Sequence, residues 1–483
     1  MEAPERRDNR PGCSNIWEEE KLHNPEKEDI SEAVNLAALI DGGRLTPYHA
    51  LVVIIASVSI ILDGFDSQLM GYAIPTLMKE WEIGREAFIP AVTASFVGMV
   101  VGGIITGLMA DHFGRKKLLL INLFIFGIAT LIIGFTTTVT QIACFRFIAG
   151  LGIGGAMPVC ATIVAEFAPV RSRALIVTGT IVCTPLGGMV AGYFTGYILP
   201  HFGWQTLFFV GGIMPIVLIA IVWALLPETP FYLLKHENRW ADLRKLLGRM
   251  HIHVADNVSF KKETQKEKTD NKRFSELFKP EFRSDTIALC FVFLFCGYTV
   301  YSVFGWLPTM LTAEHVSIEN ASYSLANYNL GGFLGALVCG YAISKMGSFW
   351  PMVVSGIGSW ASLLVLSTID IPTNIGWMIT LLVLHGFFIN GIQAPMYALC
   401  AYAFPTNIRT TGMSTASSCG RVGAIISGFV GAPVITKFGG VGYLLMLVAC
   451  MVIVTFGVLA IRKHIPSPRR SRITEFKNEI QNS

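Results

Sequence analysis

The sequence is poor in charged residues. Only 14% of its 483 residues are Asp, Glu, Lys or Arg, whereas a soluble domain carries about 25%. Its mean hydropathy is +0.55, and apolar runs recur that are close to the length needed to span a bilayer, about 20 residues. A net charge of +4 gives no support to nucleic-acid binding. The composition therefore predicts a protein whose surroundings are the lipid bilayer and whose partners do not include nucleic acid.

The sequence also lacks the patterns of a disulfide framework, a metal site or an enzyme. Its ten cysteines include no Cys-x-x-Cys pair and fall mostly inside the apolar runs, where cysteine is a small packing residue. No nucleophile-base pair or ligand cluster is evident, so we expect no enzymatic activity, no cofactor and no metal. The polar residues 1–46 lack the apolar segment of a cleavable signal peptide and are predicted to be a tail.

The apolar runs predict an all-α membrane protein with about twelve transmembrane helices. The predicted organisation is a tail at 1–46, a first six-helix half at 47–226, a charged loop at 227–284, a second six-helix half at 285–462 and a tail at 463–483. The predicted spans are 47–78, 88–110, 118–136, 138–165, 174–199, 206–226, 285–307, 323–344, 350–366, 375–402, 411–436 and 440–461.

Basic residues lie mainly at alternate ends of these spans. They include the run 115–117, the central loop and the chain from 462 to 472, while the opposite junctions carry few. Because Lys and Arg are enriched in cytoplasmic loops, both termini and the central loop are predicted to be cytoplasmic. This orientation predicts a multi-pass protein of the cell (inner) membrane.

The chain contains an internal repeat. Pro75 and Pro308 each begin a Pro-Thr element near the end of a first span, and Arg173 and Arg409 each follow a proline after a fourth span. Both elements return after about 235 residues. The repeat predicts two parallel six-helix halves with a binding site between them near the bilayer midplane, as in many transporters.

Asp63 and Asp66 lie inside the first predicted span, one helical turn apart. A charge at this depth costs roughly 2.5–3.5 kcal/mol, so intramembrane carboxylates are usually functional. We therefore predict that the pair forms a proton relay facing an aqueous cavity. The alternative is that both are structural carboxylates that join or cap helices.

Four sequence elements resemble known transporter motifs. Residues 107–117, Gly-Leu-Met-Ala-Asp-His-Phe-Gly-Arg-Lys-Lys, resemble the loop signature of the major facilitator superfamily, with His112 where Arg is usual. Residues 146–158 resemble its fourth-helix motif. The chain also resembles the aromatic acid/proton symporter family. Three elements carry this resemblance: Asp-Gly-Phe-Asp at 63–66, Gly-Gly-Ala-Met-Pro at 154–158 and the stretch 404–412. The resemblance implies the major facilitator fold and import of a small aromatic carboxylate, such as a hydroxybenzoate or benzoate.

The same resemblance implies a cytoplasmic gate. Its residues would form a charge network around a tight glycine turn and would stabilise one conformer over another. The residues are Gly107, Asp111, Gly114, Arg115, Glu166, Arg173 and Arg409.

Two intramembrane arginines are candidates for binding an anionic substrate. Arg421 lies about ten residues into the eleventh span without an evident acidic neighbour, and the alternative is that it extends to the interface. Arg146 could bind either an acidic side chain or the substrate, or act as a structural clamp. Polar and aromatic residues that would suit a benzoate-like anion, each of which could instead be a packing residue, are Gln393, Asn390, Tyr298, Tyr301 and Trp306.

These features lead to one hypothesis and two alternatives. The hypothesis is a functional monomer that transports a small organic anion with protons by alternating access, the first half handling protons and Arg421 the substrate charge. One alternative is another substrate, such as a muconate-like diacid, nicotinate, a sugar or a polyol. The other is a membrane sensor that binds its ligand without transport.

Overall fold

The computed structural model is all α-helical, which confirms the predicted class. It describes residues 35–252, 254, 260, 275–405 and 408–467, with the side chains of Asp111 and Thr410 excluded. The helices are α1 (Leu36–Gly42), α2 (Pro47–Trp81), α3 (Ile89–Phe113), α4 (Arg115–Ile133), α5 (Val139–Phe167), α6 (Val170–Ile181), α7 (Thr184–Phe202), α8 (Trp204–Leu225), α9 (Pro230–Lys235), α10 (Trp240–Arg249), α11 (Arg283–Ala313), α12 (Ile318–Met346), α13 (Phe349–Ser367), α14 (Ile375–Ala403) and α15 (Arg409–Ala460).

The helices repeat in order and in packing. Helix α4 begins at Arg115 and α13 at Phe349, an offset of 234, while α5 begins at Val139 and α14 at Ile375, an offset of 236. Helix α3 packs against α5, and α12 packs against α14 in the same way. Helices α2–α8 and helices α11–α15 therefore show a related arrangement, and they are called the first and the second half below.

Ten helical segments of the described chain are long and apolar enough to cross a membrane. The last of them spans Thr411–Ala460 and is broken at Gly439, whose φ of 68° is accessible to glycine at little cost. Gly431 lies against Trp306 in the last third of α11, whereas Gly457 lies against Val292 nearer its start. The chain therefore reverses direction at Gly439 and runs back along α11.

Part of the predicted tail is a folded helix. Asn35 caps α1 by accepting a hydrogen bond from the backbone N–H of Ala37 at 3.0 Å. Leu36 and Ile40 are buried, so α1 docks on the first half. Within the predicted loop 227–284, α9 and α10 are likewise helical, and the buried side chains of α10 join the same apolar cluster as α1.

The two halves are joined on the side away from the termini. There Gln68 and Asn329 exchange side-chain hydrogen bonds, and the Tyr193 hydroxyl donates to Asn327 Oδ1 at 3.2 Å. These are the hydrogen bonds between the halves within the described ranges. Toward the termini, the described ranges contain no hydrogen bond between the halves, and Leu108 near the end of α3 is 74% exposed. Within the described ranges, the hydrogen bonds between the halves thus lie on one side of the molecule.

Candidate functional site

A cavity lies between the two halves. It encloses about 140 Å³ and is bordered by α2, α3, α5, α7, α11, α14 and α15. Four residues singled out from the sequence line it: Asp63, Tyr301, Gln393 and Arg421. Side chains that sequence reasoning did not select include Ser67, Phe96, Met99, Met157, Phe293, Phe304, Met396 and Tyr397. They are ordinary residues of apolar helices, and only the packing of five helices, α2, α3, α5, α11 and α14, brings them together.

Asp63 is the carboxylate of the cavity. Its side chain is only 6% exposed and lines the cavity wall. Within the described residues it has neither an ion pair nor a hydrogen-bond partner. An intramembrane carboxylate in this situation is a suitable proton acceptor, because neutralisation removes the cost of holding the charge in a low-dielectric setting.

Asp66, one turn further along α2, has a different environment. It is fully buried, and its Oδ2 accepts a hydrogen bond from Arg146 Nη1 at 3.1 Å. The Thr130 hydroxyl donates to the other carboxylate oxygen at 2.6 Å, and Arg146 Nη2 donates to Ser95 Oγ at 3.2 Å. The sequence predicted that both aspartates face the cavity. In this conformation only Asp63 lines it.

This ion pair also corrects the prediction for Arg146. Its guanidinium lies inside the first half and is 1% exposed, and it does not border the cavity. The acidic partner that the sequence left open is Asp66. A buried pair of this kind is costly to break, because the remaining charge has no partner. In this conformation Arg146 is a structural partner of Asp66 and has no contact with the cavity.

Arg421 is the cation of the cavity. It extends from α15 of the second half toward α3 of the first, where its Nη1 would lie 2.9 Å from the Cβ of an alanine at position 103. Gly103 thus provides the space that the guanidinium occupies. Across the described part of the chain Arg421 has no carboxylate partner, so its planar donors are available to a bound anion.

Aromatic rings form much of the remaining wall. The Tyr301 ring meets Phe96 edge to face, with centroids 5.1 Å apart, and it meets Phe304 at 5.8 Å. The side-chain amide of Gln393 adds a donor and an acceptor to this wall. An apolar, aromatic cavity with a few polar groups suits a small ligand.

Besides Arg146, three predicted substrate residues lie outside the cavity. Asn390 donates to the carbonyl of Gly386 at 3.1 Å, which belongs to its own helix. Tyr298 donates to Met446 Sδ at 3.0 Å. Trp306 is fully buried and donates its ring N–H to the Ser427 carbonyl. Their polar groups are satisfied within the second half, so the prediction that they contact substrate is not supported in this conformation.

Six of the seven residues of the predicted gate lie near the ends of α3–α6, on the side of the termini, and Arg409 begins α15. Arg115 Nε is 3.0 Å from Glu166 Oε1, so these two form an ion pair. Gly114 has φ of 88°, and two residues later the backbone N–H of Lys116 donates to Glu228 Oε1 at 3.0 Å. Glu228 was not selected from the sequence, because its partner lies 112 residues away.

Two further gate residues have other partners. Arg173 pairs with Asp41 of α1 instead of joining Arg115 and Glu166. Arg409 donates from Nε to the Phe404 carbonyl at 3.5 Å. Gly107 has no atom within 4 Å of the position its Cβ would take. The Asp111 side chain lies outside the described part of the structure.

The described residues contain no group of three or more His, Cys, Asp or Glu side chains that could hold a metal ion. The chemistry available in the cavity is that of one carboxylate, one guanidinium and neutral polar groups. Such a set can take up a proton and bind an anion.

Comparisons with known proteins agree with this geometry. Residues 56–428 and 307–478 match the family model of the Major Facilitator Superfamily. The chain is 31% identical over 408 residues to a 4-hydroxybenzoate transporter, PcaK, of Pseudomonas aeruginosa, covering 83% of this chain and 89% of that protein. It is 28% identical over 412 residues to a gallate transporter of Pseudomonas putida, covering 85% and 91% of the two chains.

A solved structure with the same fold supports the assignment. A D-xylose-proton symporter superposes with a TM-score of 0.64 at 16% identity, covering 87% of this chain and 98% of that one. At this identity the likeness concerns the fold alone. The family match and the aromatic-acid relatives are the stronger observations, and the chain is a multi-pass transport protein of the cell membrane that belongs to the major facilitator superfamily.

Proposed function

We propose that this transporter imports a small aromatic monocarboxylate together with protons. One observation carries the proposal: the cavity is lined by aromatic side chains, by the Asp63 carboxylate from the first half and by the Arg421 guanidinium from the second half. Among the residues that the structure describes, neither charge has an ion-pair partner. A substrate carboxylate would pair with Arg421, and a proton would neutralise Asp63. The names of the relatives, which include transporters of 4-hydroxybenzoate and gallate, agree with this substrate class.

The charges explain how binding and alternation are coupled. An empty cavity with ionised Asp63 and Arg421 resists closure, because closing would remove two unpaired charges from water. Proton and anion together neutralise both groups, so the loaded carrier can change conformation. A ligand shifts such an equilibrium only by its difference in affinity for the two conformers, and neutralisation supplies that difference.

The proposed topology has twelve spans. Ten apolar segments are long enough to span a membrane. The last of them counts as two spans, because the chain reverses at Gly439. Helix α12, which is 29 residues long but less apolar, is the twelfth span. The basic ends of the helices favour a cytoplasmic location for both termini. On this topology the hydrogen bonds between the halves lie on the side away from the cytoplasm, which favours a carrier that is closed on that side.

The gate residues would control the cytoplasmic side of this cycle. The Arg115–Glu166 pair, Gly114 and the Glu228 contact join the ends of α4, α5 and α8 within the first half. In the other conformer the second half would close against this rigid surface, with Gly107 and Asp111 at the contact. Arg409 begins the corresponding helix of the second half.

Transport by the purified protein tests the proposal. In proteoliposomes with an acidic exterior, labelled 4-hydroxybenzoate should accumulate, and a protonophore should abolish accumulation. Benzoate and gallate should compete, whereas xylose should not. Competition by nicotinate or a diacid with no effect of benzoate would favour another organic anion. Binding without uptake would favour a sensor and contradict the proposal.

A further inference from the structure

A second, basic pocket lies at the termini-side end of the first half, away from the cavity. It is formed where the start of α4, the end of α8 and helix α10 meet, and where the chain crosses from α8 to α9. Its basic side chains are Lys116, Lys117, Arg239, Lys245 and Arg249. Apart from the contact between Glu228 and the Lys116 backbone, the proposed transport cycle does not use this pocket.

The acidic groups of the pocket are already engaged. Asp242 pairs with Arg239. Glu228 accepts hydrogen bonds from the backbone N–H groups of Lys116 and Thr229. The pocket therefore keeps an excess of positive charge, and anions are its electrostatically favoured ligands.

Two exposed lysines carry much of that excess. Lys117 and Lys245 have no carboxylate partner in the parts of the chain that the structure describes. The Arg249 guanidinium lies 5.9 Å from the centroid of the Tyr48 ring and has no carboxylate partner among the described residues. A phosphate group between α4 and α10 would meet cations from both helices.

The pocket continues into an apolar surface. Leu120 and Trp223 belong to its lining, and Trp223 at the end of α8 is 72% exposed. Farther along the same two helices, Phe124 of α4 and Val217 of α8 are also exposed. Tryptophan is typical of the membrane interface, and exposed apolar residues beyond it face acyl chains.

We propose that this pocket binds the head group of an anionic phospholipid, with the acyl chains along α4 and α8. Basic clusters at the end of a membrane helix attract anionic lipids, each Lys or Arg contributing about 1 kcal/mol. A free phosphate would use the same cations, but it would not use Trp223. The apolar continuation of the pocket favours the lipid.

Lipid binding to the purified full-length protein tests the proposal. Native mass spectrometry in detergent compares phosphatidylglycerol with phosphatidylcholine of identical acyl chains. The double variant Lys117→Gln/Lys245→Gln should bind phosphatidylglycerol about fivefold less tightly for each charge removed. The control Lys279→Gln/Lys345→Gln removes two other basic residues outside the pocket and should bind as the wild type does. Thermal unfolding checks that each variant is folded.

A third variant separates lipid from free phosphate. Trp223→Ala should weaken phosphatidylglycerol binding and leave binding of soluble glycerol phosphate unchanged. Equal binding of the two lipids, or an equal loss in the control variant, would overturn the proposal. Full competition by millimolar inorganic phosphate, with no effect of Trp223→Ala, would assign the pocket to a soluble phosphate instead.

Discussion

Gln68 and Asn329 form a reciprocal pair of hydrogen bonds across the two halves of the transporter. Gln68 Nε2 donates to Asn329 Oδ1 at 3.0 Å, and Asn329 Nδ2 donates to Gln68 Oε1 at 2.9 Å. Both side chains are buried. Gly188 makes room for the pair, since a Cβ there would lie 2.0 Å from Gln68 Nε2. The pair must separate when the carrier opens on the far side.

The first prediction concerns this pair. Gln68→Leu leaves the Asn329 amide buried without its partner. This costs about 1–3 kcal/mol, and only the conformer that is closed on the far side bears the cost. We expect a shift toward the conformer that is open on the far side. Hydrogen–deuterium exchange should show higher uptake in the far-side ends of α7 and α12.

The double variant Gln68→Leu/Asn329→Leu is the control. With both amides replaced, no buried polar group is left unpaired, so exchange should return toward the wild-type level. If the single and double variants exchange alike, the hydrogen bonds do not hold the far side closed.

The second prediction separates the two aspartates. Asp66→Asn leaves the buried Arg146 charge without a counter-ion and should lower the free energy of unfolding by about 3–5 kcal/mol. Asp63→Asn removes a carboxylate that has no partner in the described residues and should leave stability unchanged. Thermal unfolding in detergent measures the stability of both variants. Adding Arg146→Gln to Asp66→Asn should restore part of the loss.

Transport completes the comparison. Asp63→Asn should abolish accumulation driven by a pH gradient, because no proton can be carried at the cavity, while exchange of internal for external substrate persists. Uphill uptake at the wild-type rate in this variant would exclude Asp63 as the coupling group and return the role to Asp66.

The third prediction concerns the cavity cation. Arg421→Lys keeps the charge but loses the planar fork of donors, so affinity for 4-hydroxybenzoate should fall several-fold. Arg421→Gln should abolish binding. Lys437→Gln, an exposed cation on the same helix, is the control and should bind normally. Isothermal titration calorimetry measures the affinity of each variant for 4-hydroxybenzoate. Tight binding by the Arg421→Gln variant would mean that another group binds the substrate carboxylate.

The fourth prediction tests how Arg421 is positioned. An alanine at 103 would press against its guanidinium, so Gly103→Ala should weaken substrate affinity without unfolding the protein. Gly179→Ala is a matched control, because that helical glycine has no atom within 4 Å of its Cβ position. Both variants gain helix propensity of about 1 kcal/mol, and only the first changes the cavity. Equal affinities would show that Arg421 moves aside freely.

The fifth prediction concerns the gate. Glu166→Gln removes the carboxylate charge that pairs with Arg115 at 3.0 Å, and it should slow exchange between conformers while equilibrium affinity stays near the wild-type value. Counterflow in proteoliposomes measures the exchange rate, and titration measures affinity. Loss of affinity with a normal exchange rate would place Glu166 in the binding site instead.

Much of this protein is determined by the sequence alone. Length and hydropathy define the spans, because a helix must be apolar over about 20 residues to cross a bilayer. The repeat of Pro-Thr and Arg elements revealed the two halves. Asp63 and Arg421 were identifiable as cavity residues because a charge inside an apolar helix is expensive and is retained for a purpose.

Tertiary structure decided which polar groups face one another. Asp63 and Asp66 are equivalent by helical spacing, yet only Asp66 meets Arg146, which is 80 residues away. Gln68 and Asn329 are ordinary amides in the sequence and become partners across 261 residues. Spacing along one helix specifies a direction for each side chain, but not the neighbour found there. The packing of the helices determines that neighbour. It therefore also determines which charges are held in buried ion pairs and which line the cavity.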